Sequence, residues 1–172
     1  SPALAAFDLE NEKPGTLERY GLTEFGRGTL LARKLVETGV RFVQVNRGGF
    51  DNHMDIFPAM RNHGAVMDSA VASLIEDLAA SGRLEKTLVI MLSEFGRTPR
   101  INKDGGRDHH ARVFSCLMAG GGVKGGHVHG ATDELGFAAA EDPVHVHDLH
   151  ATMLHLLGFD HEKLTYHYSG RN

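Results

Sequence analysis

A short apolar run that ends abruptly in charged residues constrains this sequence more than any other feature. Residues 88–93 carry no charge and are partly β-branched, which predicts a strand buried on both faces. Glu94 follows directly, and a charged loop then extends to residue 111. In α/β proteins, ligands bind in the crevice beyond the carboxyl ends of the strands. The run therefore favours a central strand that ends at a binding site over the alternative, a solvated loop whose charges have no role.

A second segment ends in the same way. Residues 40–45 alternate between apolar and polar, which predicts a strand, and the glycines at 48 and 49 then allow a sharp turn before Asp51 and His53. One interpretation of these two side chains is a turn that caps the next helix. Because Asp55 is placed to cap that helix by itself, Asp51 and His53 are candidate metal ligands.

Helical periodicity fills much of the remaining chain. A first helix begins after Thr23 as its N-cap, a second covers residues 56–81, and a third begins at Asp148. Residues 113–119 predict a third strand. The order helix, strand, helix, strand predicts a crossover unit with a parallel sheet of at least three strands, in which the strand at 88–93 is flanked on both sides.

Composition limits the classes of function. The 172 residues suit about one domain, and residues 1–21 are expected to form a polar arm or linker. A net charge of −4 argues against a nucleic-acid partner, and no run approaches the roughly 18 apolar residues of a transmembrane span. The chain has 12 histidines, of which we expect two or three to carry chemistry.

Four motifs together resemble the DUF1501 family, a group of sulfatase-like proteins of planctomycetes and related bacteria in the alkaline phosphatase superfamily. In chain order the motifs are GGFDNH at 48–53, SEFGRTP at 93–99, GRDH at 106–109 and DLHATMLHLLG at 148–158. The resemblance implies a three-layer α/β sandwich with a mostly parallel sheet, incomplete in this chain. It also implies that residues 1–172 are one α/β domain, the C-terminal part of a longer bacterial protein whose N-terminal segment is missing here. Family members are often exported, so the resemblance implies a periplasmic or exported protein.

Five side chains are the candidate metal ligands, and each lies just past a predicted strand or in the loop beyond one. They are Asp51, His53, Glu94, Asp108 and His109. Since parallel strands end at one edge of a sheet, we expect these side chains to converge there. Their three carboxylates would repel one another, and a bound cation is the simplest compensation. The alternative is that Arg97 and Arg107 supply the positive charge.

The resemblance implies a divalent metal site that serves the hydrolysis of phosphate or sulfate esters. Carboxylate and imidazole ligands suit Zn²⁺ or Mn²⁺, with Ca²⁺ and Mg²⁺ still open. Arg97 and Arg107 are the candidate substrate-binding residues, since an arginine can contact a phosphate or sulfate through two hydrogen bonds.

No residue can be named as the nucleophile, so the chain by itself is expected to turn over no ester, whether of a small molecule or of a polysaccharide. A histidine ligand of the superfamily is replaced by Phe95, and an aspartate ligand by Glu94. Phe95 favours the alternative function, a non-catalytic binding or scaffold protein with at most one structural metal, whereas the cluster of Asp51, Glu94 and Asp108 favours the enzyme.

Overall fold

The residues contact one another mainly within two units, Ser1–Gly125 and Gly126–Asn172. The computed structural model describes residues 2–171, so Ser1 and Asn172, the two ends of the expected domain, lie outside the described part. No helix within residues 2–171 is both long enough and apolar enough to cross a membrane.

Helices build the centre of the first unit. In chain order they are α1 (Pro2–Ala5), α2 (Thr16–Tyr20), α3 (Glu24–Glu37) and α4 (Ile56–Ala80). The last three pack against one another, and the two longer ones, α3 and α4, do so through apolar stripes at helical spacing. The two longer helices confirm the predictions made from the periodicity of residues 23–39 and 56–81.

A small buried core lies between these helices. Tyr20 of α2, Leu30 of α3 and Leu78 of α4 are its fully buried large side chains. The hydroxyl group of Tyr20 donates a hydrogen bond of 2.9 Å to Asp77 on α4. Residues 16–20, which lie in the segment expected to be a polar arm, therefore contribute to the core.

The helix caps agree with the sequence in one place and differ in two. Thr23 caps α3, and its Oγ1 accepts a hydrogen bond of 3.1 Å from the backbone N–H of Gly26. Asp55 precedes α4 with a φ of 46°, but its side chain makes no capping hydrogen bond. The cap of the last helix is His145 and not Asp148.

The predicted three-layer sandwich with a mostly parallel sheet is wrong. Within residues 2–171 the strands form three separate antiparallel pairs. In the first pair, β1 (Leu88–Met91) lies against β4 (Leu117–Gly120). In the second, β2 (Gly96–Arg97) lies against β3 (His109–His110). Strand β1 is half-buried and has one strand neighbour, so it is not the central strand predicted from its apolar run.

The connection between β1 and β4 explains the difference. Parallel neighbours need a crossover connection that carries the chain back to the starting edge, usually through a helix. Residues 92–116 contain the pair β2–β3 and no helix, so the chain returns in the opposite direction and the strands pair antiparallel. Residues 40–45 also form no strand, because an alternating pattern reports which side chains can be buried and not whether a partner strand is available.

The second unit consists of a short hairpin and one helix. Strands β5 (Ala131–Thr132) and β6 (Ala139–Glu141) pair with a register shift, and α5 (Val146–Leu156) follows. The first turn of α5 is a capping box in which Asp148 accepts a hydrogen bond of 2.9 Å from the backbone N–H of His145. None of the described residues of this unit is buried.

Candidate metal centre

Two loops of the first unit pair with each other and bring the candidate ligands together. The backbone N–H of Ile56 donates to Gly105 (3.0 Å), that of Asp55 to Asp104 (3.2 Å), and that of Arg107 to the carbonyl of Asn52 (3.2 Å). These hydrogen bonds hold the segment before α4 against the loop that precedes β3. His53 in the first loop thereby lies beside Asp108 in the second.

Gly106 permits this close approach. A Cβ atom at this position would lie 2.0 Å from the backbone carbon of His53 and 2.1 Å from its oxygen. Such distances exclude any side chain unless the backbone moves. The glycine of the GRDH motif therefore allows the two loops to pair closely.

Asn102 joins the two loops with its side chain. Its amide group donates to the carbonyl of His53 (3.0 Å) and to Oδ1 of Asp108 (3.1 Å). Its oxygen accepts the backbone N–H groups of Asp104 and Gly106. Asn102 was not among the site residues predicted from the sequence. The available signal was an asparagine two residues before an Asp-Gly pair, which is typical of a turn closed by its own side chain.

The pair β2–β3 places a cation and an imidazole opposite each other. Arg97 and His109 are register partners in this pair. Both side chains reach Oδ1 of Asp51, the first through its Nη2 at 3.1 Å and the second through its Nε2 at 2.7 Å. Facing residues of an antiparallel pair have neighbouring side chains, so the register of β2 and β3 determines this convergence.

Three potential ligand atoms meet at one point of the surface. Asp51, His53 and His109 each offer one such atom, and these atoms all lie within 4.8 Å of one another. The Nε2 atom of His53 lies 3.0 Å from Oδ1 of Asp51, and the two imidazole rings are 4.9 Å apart. Each of the three side chains is between 43% and 68% exposed, so solvent reaches the cluster.

Asp108 lies on the other side of the His53 ring. Its Oδ1 is 3.0 Å from Nδ1 of His53, whereas Nε2 of the same ring points to Asp51. In a neutral imidazole, a carboxylate that accepts the proton of Nδ1 leaves Nε2 without a proton and free to bind a metal. The expected ligand Asp108 is thus placed to orient His53.

Hydrogen bonds keep both aspartates ionised. The hydrogen bond from His109, followed by that from Arg97, lowers the pKa of Asp51 to about 2. The hydrogen bond from His53, followed by that from Asn102, lowers the pKa of Asp108 below its usual value. Each carboxylate therefore carries a negative charge at neutral pH, which is the form that binds a cation.

The remaining predicted site residues lie elsewhere or have other contacts. The side chain of Glu94 is exposed and is not among the three grouped ligand residues. Arg107 donates from its Nη1 to the carbonyl oxygens of Thr98 and Pro99, both at 2.6 Å. The ring of Phe95 packs 4.5 Å from the ring of His109.

The donor set fits a divalent transition metal. Two imidazole nitrogens and one carboxylate oxygen are ligands that zinc and similar ions accept, usually with open positions for water or substrate. With bonds of about 2.1 Å, tetrahedral ligands stand roughly 3.4 Å apart. The two histidine nitrogens lie 2.7 and 3.0 Å from Oδ1 of Asp51, so each of these two contacts is within about 0.4 to 0.7 Å of that spacing.

Fold and site together define a chain of helices and short antiparallel strand pairs with a candidate two-histidine, one-aspartate metal centre. The whole chain, residues 1–172, matches the family model described as protein of unknown function, DUF1501. The chain therefore belongs to the DUF1501 family, which confirms the family resemblance of its four motifs. No curated protein and no solved structure matches the chain.

Proposed function

We propose that Asp51, His53 and His109 bind one divalent metal ion. The observation that carries this proposal is the convergence of one carboxylate oxygen and two imidazole nitrogens within 4.8 Å. Support comes from the orientation of His53 by Asp108, since metal-binding histidines commonly donate their other nitrogen to a carboxylate. The proposed set contains three of the five residues expected from the sequence, with Asp108 behind one ligand and Glu94 outside the set.

The ligand types narrow the choice of metal. Ca²⁺ and Mg²⁺ prefer sites made entirely of oxygen ligands, whereas this cluster offers two nitrogens. Zn²⁺ and Mn²⁺ both accept imidazole together with carboxylate, and affinity for such ligands rises from Mn²⁺ to Zn²⁺. We therefore propose Zn²⁺ as the tightest of these four ions and Mn²⁺ as the next.

We further propose that this centre serves a metal-dependent hydrolase of phosphate or sulfate esters. A divalent ion supplies positive charge for the ester oxygens and makes a water molecule more acidic. Arg97 supports this proposal because it lies beside the cluster and its guanidinium group contacts Oδ1 of Asp51 at 3.1 Å. From the family resemblance we also propose that the protein is periplasmic or exported.

Titration calorimetry with Zn²⁺ tests the metal site. We expect the chain to bind about one ion, and Asp51→Asn and His109→Ala each to weaken binding at least tenfold, because each removes one of three ligands. Glu94→Gln is the matched control, since it removes an exposed negative charge outside the cluster. An unchanged affinity in both ligand variants would reject the site, and a loss in Glu94→Gln would restore Glu94 as a ligand.

Binding of inorganic phosphate and sulfate tests the hydrolase proposal without requiring turnover. We expect both anions to bind the Zn²⁺-loaded chain at least tenfold more tightly than the metal-free chain. The second candidate function is a non-catalytic binding or scaffold role. It is favoured by the hydroxyl of Ser93, which donates to the carbonyl of Phe95 at 2.8 Å and so faces its own backbone. Zinc binding without any effect on anion binding would favour that role.

A further inference from the structure

His63 lies on α4, outside the metal cluster, and the loop before Asp51 wraps around its ring. The Nε2 atom of His63 is 2.7 Å from the carbonyl oxygen of Gly49, and Nδ1 is 3.2 Å from Nη2 of Arg47. The ring of Phe50 stacks on the imidazole with centroids 4.2 Å apart and planes inclined by 21°. Three of four consecutive loop residues thus contact one side chain of the helix.

The partners determine the state of the imidazole. A guanidinium group only donates hydrogen bonds, so Nδ1 of His63 accepts the one from Arg47. A carbonyl oxygen only accepts, so Nε2 carries the proton that it donates to Gly49. His63 is therefore neutral in this arrangement, and both of its nitrogens are used to hold the loop.

The loop lies close against this ring at Gly49. Gly49 has a φ of 92°, a backbone conformation that side chains other than glycine rarely adopt. A Cβ atom at Gly49 would lie 3.1 Å from Cε1 of His63, which is tighter than ordinary van der Waals contact. The loop conformation and the position of the imidazole consequently depend on each other.

The same contacts extend to the candidate ligand. Phe50 directly precedes Asp51, and its carbonyl accepts a hydrogen bond of 3.0 Å from Nη2 of Arg97. That nitrogen also contacts Oδ1 of Asp51 at 3.1 Å. We infer that His63 is a positioning residue, which holds the loop from α4 so that Asp51 meets His53 and His109. Its effect on metal affinity rests on the proposed metal site, whereas its effect on Asp51 does not.

Two variants of His63 separate its contributions. His63→Phe keeps an aromatic ring for stacking and removes both hydrogen bonds, whereas His63→Gln keeps an amide that can donate to Gly49. His150→Phe is the matched control, because His150 is an exposed histidine of α5 in the other unit. The ¹⁵N chemical shifts of Nε2 in His53 and His109 are measured at one pH in the metal-free chain.

We expect His63→Phe to move both resonances, since they report the contact with Asp51, and His63→Gln to move them less. The control should leave both in place. In the metal-loaded chain we expect His63→Phe to weaken Zn²⁺ binding about tenfold or more and to change the visible absorption of bound Co²⁺, with partial rescue in His63→Gln.

A lower melting temperature with unchanged resonances in both variants would overturn the inference, because His63 would then support the fold alone. If the wild-type chain binds no metal, the proposed function fails and the metal-free resonances alone decide whether His63 positions Asp51.

Discussion

Three side-chain nitrogens lie 2.7 to 3.1 Å from one oxygen atom, Oδ1 of Asp51. Two of them belong to the imidazoles of His53 and His109, and the third belongs to the guanidinium group of Arg97. Arg97 thus supplies part of the positive charge that was expected from arginine as the alternative to a metal. Arg107 does not share this role, because its Nη1 serves two backbone carbonyls.

The first residue-scale prediction concerns Asp108. Asp108→Asn replaces the acceptor that faces Nδ1 of His53 with a group that can also donate, so the ring loses its fixed orientation. We expect Zn²⁺ affinity, measured by calorimetry, to fall about 10- to 100-fold. Asp104→Asn is the control, since it removes a charge from the same loop where the carboxylate pairs with exposed Lys103. Equal losses in both variants would mean that net charge, and not the orientation of His53, is the cause.

At the scale of elements, the site depends on how two irregular loops meet. The register between strands β2 and β3 places Arg97 opposite His109. The loop pairing between residues 52–56 and 104–107 contributes the other contact, which places His53 beside Asp108. Neither arrangement involves the carboxyl edge of a parallel sheet, although the candidate ligands converge as they would at such an edge.

Two glycine substitutions test how closely the loops pack. One lies where the loops meet, and the other lies within α4, where only helix propensity should change. Gly106→Ala introduces a Cβ 2.0 Å from the backbone of His53, so we expect it to lower the free energy of unfolding by about 2 kcal/mol and to weaken Zn²⁺ binding. Gly64→Ala lies within α4 with open space around it and should raise stability by about 0.5–1 kcal/mol. Urea denaturation measures both. A neutral Gly106→Ala would show that the loops do not approach as closely as described.

The helices were predictable from the sequence because their signals are local. Thr23 supplies a cap three residues before the N–H that it accepts, and the apolar stripe of α4 repeats within each turn. The pairing of the strands was not predictable, because a run such as residues 88–93 shows only that its side chains can be buried. Its partner, direction and register depend on Leu117–Gly120, some 30 residues away, and on a connection that lacks a crossover helix.

The same distinction holds for the site. The sequence shows which residue types can bind a metal, and four of the five expected ligands do lie in one connected cluster, with Asp51, His53 and His109 grouped most closely. It does not show that Asp108 faces the far nitrogen of His53, nor that Asn102 bridges the loops. Those details follow from hydrogen bonds between segments about 50 residues apart.

For the whole molecule, an ionic network joins the helices of the first unit. Asp77 on α4 accepts hydrogen bonds from Arg19, from Arg33 at 2.7 Å and from the hydroxyl of Tyr20 at 2.9 Å. Its side chain is only 17% exposed. Because Arg33 also pairs with Glu12 at 2.5 Å, the network ties the chain before α2 to helices α2, α3 and α4.

The pH dependence of stability follows from this network. Partial burial acts to raise the pKa of Asp77, but the hydrogen bonds from Arg19, Tyr20 and Arg33 outweigh it, and the net result is a lowered pKa. A carboxyl with a lowered folded-state pKa contributes stability above its unfolded value, near 3.8, and loses it as the pH falls further. For Tyr20, burial and then the hydrogen bond to Asp77 raise the pKa, so its contribution is present below about pH 10 and declines above it.

We therefore expect Asp77→Asn to lower the free energy of unfolding by about 2 kcal/mol near neutral pH, because charged hydrogen bonds of this kind are lost. The difference between wild type and variant should shrink as the pH falls below about 4, where the wild-type carboxylate also takes up a proton. Asp68→Asn, an exposed aspartate of the same helix, is the control and should change stability by less than about 0.5 kcal/mol. Urea denaturation from about pH 3 to 9 measures these differences. The contributions of the twelve histidines to the pH dependence cancel in the comparison, because all variants share them. A constant difference across this range would show that Asp77 supports the helices through packing alone.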